Sequence, residues 1–178
     1  KEKNIPSSAI LDCDISKSKE IQLLISLVKV INNPLEDIPL IAVLQSPVFG
    51  FTADELAEIR MVDRRADFYV CLEKYAEKSQ KAKCFLEKLK VFRNVSASLP
   101  VDEFVRFIVD DTAISDIYLA VGDGSQRASN IRAFVNVSES FTKNGKQGLG
   151  AFVRYIDNMV DNEALRSSGA DGKADGVQ

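Results

Sequence analysis

Histidine and tryptophan are absent from this sequence, and cysteine, methionine and proline are scarce: three, two and five among 178 residues. Without histidine the commonest general base is missing, and so is every Ser–His or Cys–His nucleophile pair. Cys13, Cys71 and Cys84 are odd in number and widely spaced. That excludes a simple disulfide framework and gives no clustered metal ligands. They are expected to act as small buried apolar residues in a reducing interior. Apolar stretches are interrupted by Lys, Asp or Pro before they reach the roughly 18 residues of a membrane helix, so no membrane partner is expected. No basic-plus-apolar leader opens the chain, and a cytoplasmic location is expected. The sequence opens on Lys1 rather than Met, as expected of a piece excised from a longer protein.

What is present is ordinary for one water-soluble domain: 46% apolar and 28% charged residues, enough to bury a core. The formal net charge of −3 argues against a plain nucleic-acid binder. Its distribution argues less strongly. Residues 60–93 carry ten basic and five acidic side chains, and 124–154 carry five and one. The segment between them, 94–123, carries one basic and six acidic. A basic face within an acidic molecule is therefore expected if the two basic segments meet.

Helical periodicity runs along the chain, and no strand alternation interrupts it. Residues 18–31 place Ile21, Leu24, Ile25, Val28 and Ile31 on one helical face, with Ser16 or Ser18 as the cap and Pro34 beyond the end. Asp37 is expected to cap a second helix, from Ile38 to about Gln45, that is apolar nearly all round and buried. Thr52 and Glu55 form a capping-box pattern opening a third, to about Met61. Further helices are predicted over 68–76 and 81–92, and from Pro100 with Phe104, Val105, Phe107 and Ile108 as its stripe. Others cover 113–121 closed by Gly122, 126–141, and 149–160. From Ser167 the text is small and polar and is expected to be disordered. The fold class predicted is all-α, a single irregular bundle of eight or nine helices.

Several local patterns admit both a chemical and a plain reading. Gly122-x-Gly124 lacks the GxxxxGK[ST] spacing of a phosphate loop and follows a helix, so a turn is expected. The pairs Asp12 with Asp14 and Asp110 with Asp111 lack the Gly and Glu of a calcium loop and read as solvated charge. No catalytic or metal residue is assigned. Gly124-Ser125-Gln126-Arg127-Ala128-Ser129-Asn130-Ile131-Arg132 sets Gln126, Arg127 and Asn130 on the first turns of a helix. There they either favour an anion or are merely solvated. The connector from Ser46 to Thr52, with Gly50 at its bend, either grips a phosphate through its amides or simply joins two helices.

Beyond these patterns, the runs Glu20-Ile21-Gln22, Leu27 to Pro34 and Asp37 to Pro47 closely resemble the AddA (RexA) subunits of bacterial helicase–nucleases, members of the UvrD-like helicases. Gly50-Phe51-Thr52 with Asp54-Glu55-Leu56 and Ile59-Arg60 fits the same family. So do Gly124-x-Gln126-Arg127-x-x-Asn130-Ile131-Arg132-Ala133 and Gly148-Leu149 with Phe152-Val153-Arg154-Tyr155-Ile156. The resemblance covers about residues 4–160, in order. It implies that residues 1–163 are the helical accessory domain, termed 2B, inserted in the second motor domain of such a helicase. Residues 164–178 would be a flexible polar tail leading to the missing motor segment. The phosphate-binding lysine loop, the acidic pair and the nuclease domain of the family are absent. The fragment is therefore expected to hold no cofactor, with ATP and Mg belonging to the parent chain.

In that family the accessory domain touches duplex DNA near a fork, partly through a Gly-Ile-Gly type turn. Ser46–Thr52 matches that turn here, with a single glycine. The resemblance thus implies DNA-binding roles for Ser46, Gly50, Thr52, Gln126, Arg127 and Asn130, joined by the cations Lys143 and Lys146. Implied partners are duplex DNA near a fork, the rest of the parent helicase, and an AddB/RexB-type partner nuclease subunit. The function implied is that of an accessory domain in an ATP-dependent DNA helicase/exonuclease subunit for double-strand break repair and recombination, contacting duplex DNA and regulating the motor. The alternative is a protein-docking domain that meets the partner nuclease subunit with little DNA affinity of its own.

Overall fold

A computed structural model describes residues 17–120 and 123–171, and the all-α expectation holds: the described residues form nine helices and no strand. The helices are α1 (Lys19–Asn32), α2 (Asp37–Gln45), α3 (Ala53–Val62), α4 (Phe68–Tyr75), α5 (Gln80–Ser98), α6 (Val101–Asp111), α7 (Ile114–Leu119), α8 (Gly124–Lys143) and α9 (Leu149–Asp171). Cys13, the Asp12–Asp14 pair, the cap proposed for Gly122 and the sequence after Asp171 lie outside the described residues.

The core is organised around α1. Periodicity assigns it one apolar face, yet Leu23, Leu27 and Val30 are buried together with Ile21, Leu24, Ile25, Val28 and Ile31. A helix buried on almost every side must be covered by several neighbours, and α2, α5, α8 and α9 all pack on it. Lys29 closes one side with a 2.6 Å ion pair to Asp157 of α9.

The second helix corrects the sequence expectation. Only Leu40, Val43 and Leu44 of α2 are buried, while Ile38 is 84% exposed. Asp37 is not its cap; Glu36 takes that position. The Asp37 carboxylate instead accepts from the Phe68 amide at 2.9 Å, which anchors the start of α4. The capping box forms as expected: the Thr52 hydroxyl accepts from the Glu55 amide, and the Glu55 carboxylate accepts from the Thr52 amide.

Two helices outrun their predicted ends. Ser96, Ala97 and Ser98 continue α5 until Pro100, which cannot donate to the ladder. The last helix, α9, continues past Val160 to Asp171, so residues 164–171 are helical and not the loose tail their composition suggests. Phe141 of α8 stacks edge-on against Phe152 of α9 at 5.2 Å, and Phe134 against the same ring at 6.1 Å.

The short helix α7 is set between two left-handed residues, Ala113 (φ 49°) and Asp123 (φ 61°). Gly124 then opens α8 so close to the end of α7 that a Cβ there would lie 2.4 Å from the Leu119 carbonyl oxygen. Glycine is required by that approach, and it sets where α8 begins.

The contrast between α1 and α2 is measurable. Leu24 is fully buried, and Leu24→Ala is expected to lower unfolding free energy by about 2–5 kcal/mol in urea titration. Ile38→Ala is expected to change it by less than about 0.5 kcal/mol. Comparable losses at the two positions would show that the two helices had been assigned the wrong surroundings.

Candidate nucleic-acid interface

The sites singled out in the sequence fall at three separate places. One is the connector between α2 and α3. The Ser46 hydroxyl is buried and donates to the Val43 carbonyl at 2.6 Å. The Phe49 and Gly50 amides donate to the Ser46 carbonyl, and the Phe51 amide donates to the Leu44 carbonyl at 2.9 Å. With the Thr52 amide held by Glu55 at 2.7 Å, four consecutive amides from Phe49 to Thr52 are already bonded within the chain. They are therefore not available to grip a phosphate, which corrects the amide-cradle reading of this turn. Gly50 adopts φ +63° at the bend, where L side chains are strained.

The same turn is braced by α5. Lys81 donates to the Gly50 carbonyl at 2.7 Å and to Glu55 at 2.8 Å, and its ammonium lies 4.5 Å from the centre of the Phe51 ring. These bonds hold the Glu55 carboxyl below its ordinary pKa, the Lys81 hydrogen bond foremost and the Thr52 amide next. Phe49 meets Phe85 edge-on at 4.9 Å.

The second place is where α8 begins. Here the pattern Gln126-Arg127-x-x-Asn130 meets Glu20, which the sequence pattern does not single out as a site. Glu20 stands in the first turn of α1, where the partial positive charge of the helix end favours a carboxylate. It is only 2% exposed. A buried carboxylate is costly unless it is hydrogen-bonded and paired. Asn130 supplies the bond, its side-chain amide donating to Glu20 Oε1 at 2.7 Å. Gln126 donates in turn to Asn130 Oδ1 at 3.1 Å. Arg127 brings the counter-charge, with Nη1 at 3.9 Å from Glu20 Oε2 and the guanidinium 5.5 Å from the centre of the Tyr118 ring. Burial pushes the Tyr118 hydroxyl above its ordinary pKa, and the nearby Glu20 charge adds to this while Arg127 opposes it.

Asn130 is buried in this cluster, and Arg127 is partly buried against it. Their side chains are committed to holding α1 and α8 together, so neither stands out as a phosphate contact; Gln126 keeps an exposed position at the edge. The sequence does carry a signal for this junction, since Glu20-Ile21-Gln22 and Gln126 to Ala133 are two of the runs that bear the family resemblance.

The third place is the far end of α8. Lys143 pairs with Glu139 at 3.2 Å, one helical turn back. Lys146, in the α8–α9 turn, rests its ammonium 4.6 Å from the centre of the Tyr155 ring. Arg127 and Lys143 are 16 positions apart on α8, about 24 Å at the α-helical rise. One small ligand cannot engage both ends.

Nor do the two basic segments merge into one face. The acidic helix α6 packs against both α5 and α8 and supplies partners to each. Lys88 of α5 pairs with Asp111 at 2.9 Å, and Arg106 of α6 pairs with Glu139 of α8. The Glu139 carboxyl is held below its ordinary pKa by the hydrogen bond from Arg106 and next by that from Lys143. Among the described residues no group of three His, Cys, Asp or Glu side chains is placed to hold a metal ion, and no helix is long and apolar enough to cross a membrane.

Comparison with known proteins adds a second line of observation. No family model matches the chain. Over 160 residues it is 38% identical to the AddA-type subunit of the ATP-dependent helicase/nuclease of Acetivibrio thermocellus, which covers 87% of this chain and 13% of that protein. It is 34% identical over 148 residues to the protein of the same name from Leuconostoc mesenteroides, covering 83% and 12%. With the Clostridium novyi protein, again of that name, the identity is 35% over 169 residues, covering 89% and 14%. The chain thus spans about an eighth of the length of these relatives.

The Glu20 junction makes a direct prediction. Asn130→Ala leaves a buried carboxylate without its closest donor and is expected to cost about 1–3 kcal/mol of stability. Lys143→Ala, at an exposed pair, is expected to cost under about 0.5 kcal/mol. Urea midpoints for the two variants compare them, and equal small shifts would remove the junction from the account of the fold.

Proposed function

The chain is a homologue of one segment of the AddA family of ATP-dependent helicase/nuclease subunits, and we propose that it serves as a helical accessory segment of such a protein, holding duplex DNA near a fork and biasing the motor. The observation that carries this reading is the extended similarity: 34–38% identity to the Acetivibrio, Leuconostoc and Clostridium proteins across 83–89% of the chain. Nucleotide hydrolysis and strand cleavage then fall to the rest of the parent protein, where ATP and Mg act. In this reading residues 1–163 form the accessory domain, and α9 carries the chain on toward the motor. The parent works in double-strand break repair and recombination, in the cytoplasm.

The surface chemistry agrees with contacts that position a duplex without reading its sequence, because such contacts come from cations and neutral polar side chains toward phosphates. The exposed candidates that remain from the sequence are Thr52, Gln126, Lys143 and Lys146. A second reading has its own observation. Ile38, Met61 and Leu35 are 84%, 60% and 51% exposed, and exposed apolar side chains of that size suit a protein neighbour. In that reading the segment docks on an AddB/RexB-type nuclease subunit, binding little DNA itself.

Fluorescence anisotropy with a labelled fork, bearing duplex and single-stranded arms, separates the two. The DNA reading expects sequence-independent binding that weakens steeply between about 50 and 200 mM salt. Absence of binding at the lower salt, with capture of the partner nuclease intact, would shift the assignment to docking.

A further inference from the structure

The Glu20 junction fixes which way α8 faces. With Asn130, Phe134, Val137 and Phe141 turned inward, Ser129, Arg132 and Asn136 are exposed along the opposite side. They share a groove with Arg106 and Asp110 of α6, about 470 Å³ in volume and open to solvent. No residue from this groove is among the sequence candidates.

Its chemistry is specific in three respects. Arg132 has no ion pair among the described residues, although Asp110 lies in the same groove. Arg106 and Lys143 share the single carboxylate of Glu139, so that edge carries more positive charge than it neutralises. Ser129 and Asn136 add neutral hydrogen-bonding groups beside the guanidinium of Arg132. Arginine flanked by Ser and Asn is the side-chain set that meets sugar–phosphate backbones. A protein partner would instead seek a buried aromatic or aliphatic anchor, and the apolar lining here is confined to Val109, Ala133 and Val135, none of them aromatic.

Resting on the DNA reading above, we propose that the α6–α8 groove, centred on Arg132, is the surface on which the phosphates of the duplex arm sit. Asp110 is the unfavourable element of that surface, since its carboxylate faces the same space as the phosphates. The site is therefore not at its tightest, and two substitutions should move affinity in opposite directions.

The experiment is anisotropy binding of a labelled fork to the 178-residue chain and three variants, with melting curves to establish that each folds as the parent does. Arg132→Ala should weaken binding severalfold and lower the slope of log affinity against log salt by about one, as for a lost phosphate contact. Asp110→Asn should tighten binding. Lys90→Ala removes the same charge from the exposed face of α5, where no ion pair among the described residues holds it, and should leave affinity nearly unchanged. If the parent chain binds but Arg132→Ala and Asp110→Asn match it, or if Lys90→Ala gives the loss, the groove is the wrong surface while the DNA reading stands. If the parent chain does not bind the fork at all, both fall. Loss of partner-nuclease capture in Arg132→Ala with unchanged DNA binding would reassign the groove to an acidic protein.

Discussion

The structure depends on one buried charge. Glu20 sits at the head of the central helix with almost no exposure, and an isolated carboxylate in such a place is too costly to keep. Asn130 and Arg127, 110 and 107 positions further along, make it tolerable. The 2.7 Å amide bond is the stronger of the two contacts, and the 3.9 Å approach of Arg127 adds counter-charge that Tyr118 helps to position. Because the donor must point at Glu20, α8 has no rotational freedom about its axis. Its inner face then meets α1 and α9, and its outer face lies beside α6. Gly124 sets the start of the helix and Glu20 sets its rotation.

Charge elsewhere is largely handled within the chain. Lys29, Lys74, Lys81, Lys88, Arg106, Arg127 and Lys143 all have carboxylate partners within 4.0 Å. The acidic segment packs between the basic ones, so positive charge that looks concentrated along the sequence is distributed and partly neutralised in the fold. Individual surface pairs of this kind contribute little stability, from zero to about 1 kcal/mol. Their larger effect is on which cations remain to meet a partner, and Arg132 is prominent among those.

Much of this is legible in the sequence, and the parts that are not share a cause. The Thr52–Glu55 capping box is a contact between near neighbours, and pattern finds it. The all-helical class follows from periodicity alone. Pattern misplaces α1 and α2 because an apolar residue does not say how many neighbours will cover it: Leu23 and Leu27 find partners, and Ile38 does not. Glu20 looks like an acid placed at a helix start for its dipole, and only its distant partner shows that it is buried. Gln126, Arg127 and Asn130 stand out as unusual, but two of them face Glu20 in the fold. The connector from Ser46 to Thr52 reads as rich in free amides, and the return of the Phe51 amide to Leu44, seven residues back, is invisible without the fold. Arg132 lies within a matched run and has no role assignable there, since its exposure follows only from the direction of Asn130.

The central claim is that the rotation fixed by Glu20 turns a phosphate-contacting face of α8 outward. Nitrogen-15 amide spectra of the chain, titrated with an unlabelled fork, test it residue by residue. The account predicts that shifts concentrate at Ser129, Arg132, Ala133 and Asn136 on α8 and at Arg106 and Asp110 on α6. Shifts confined to the Ser46–Thr52 turn and α5, with α8 unchanged, would contradict it.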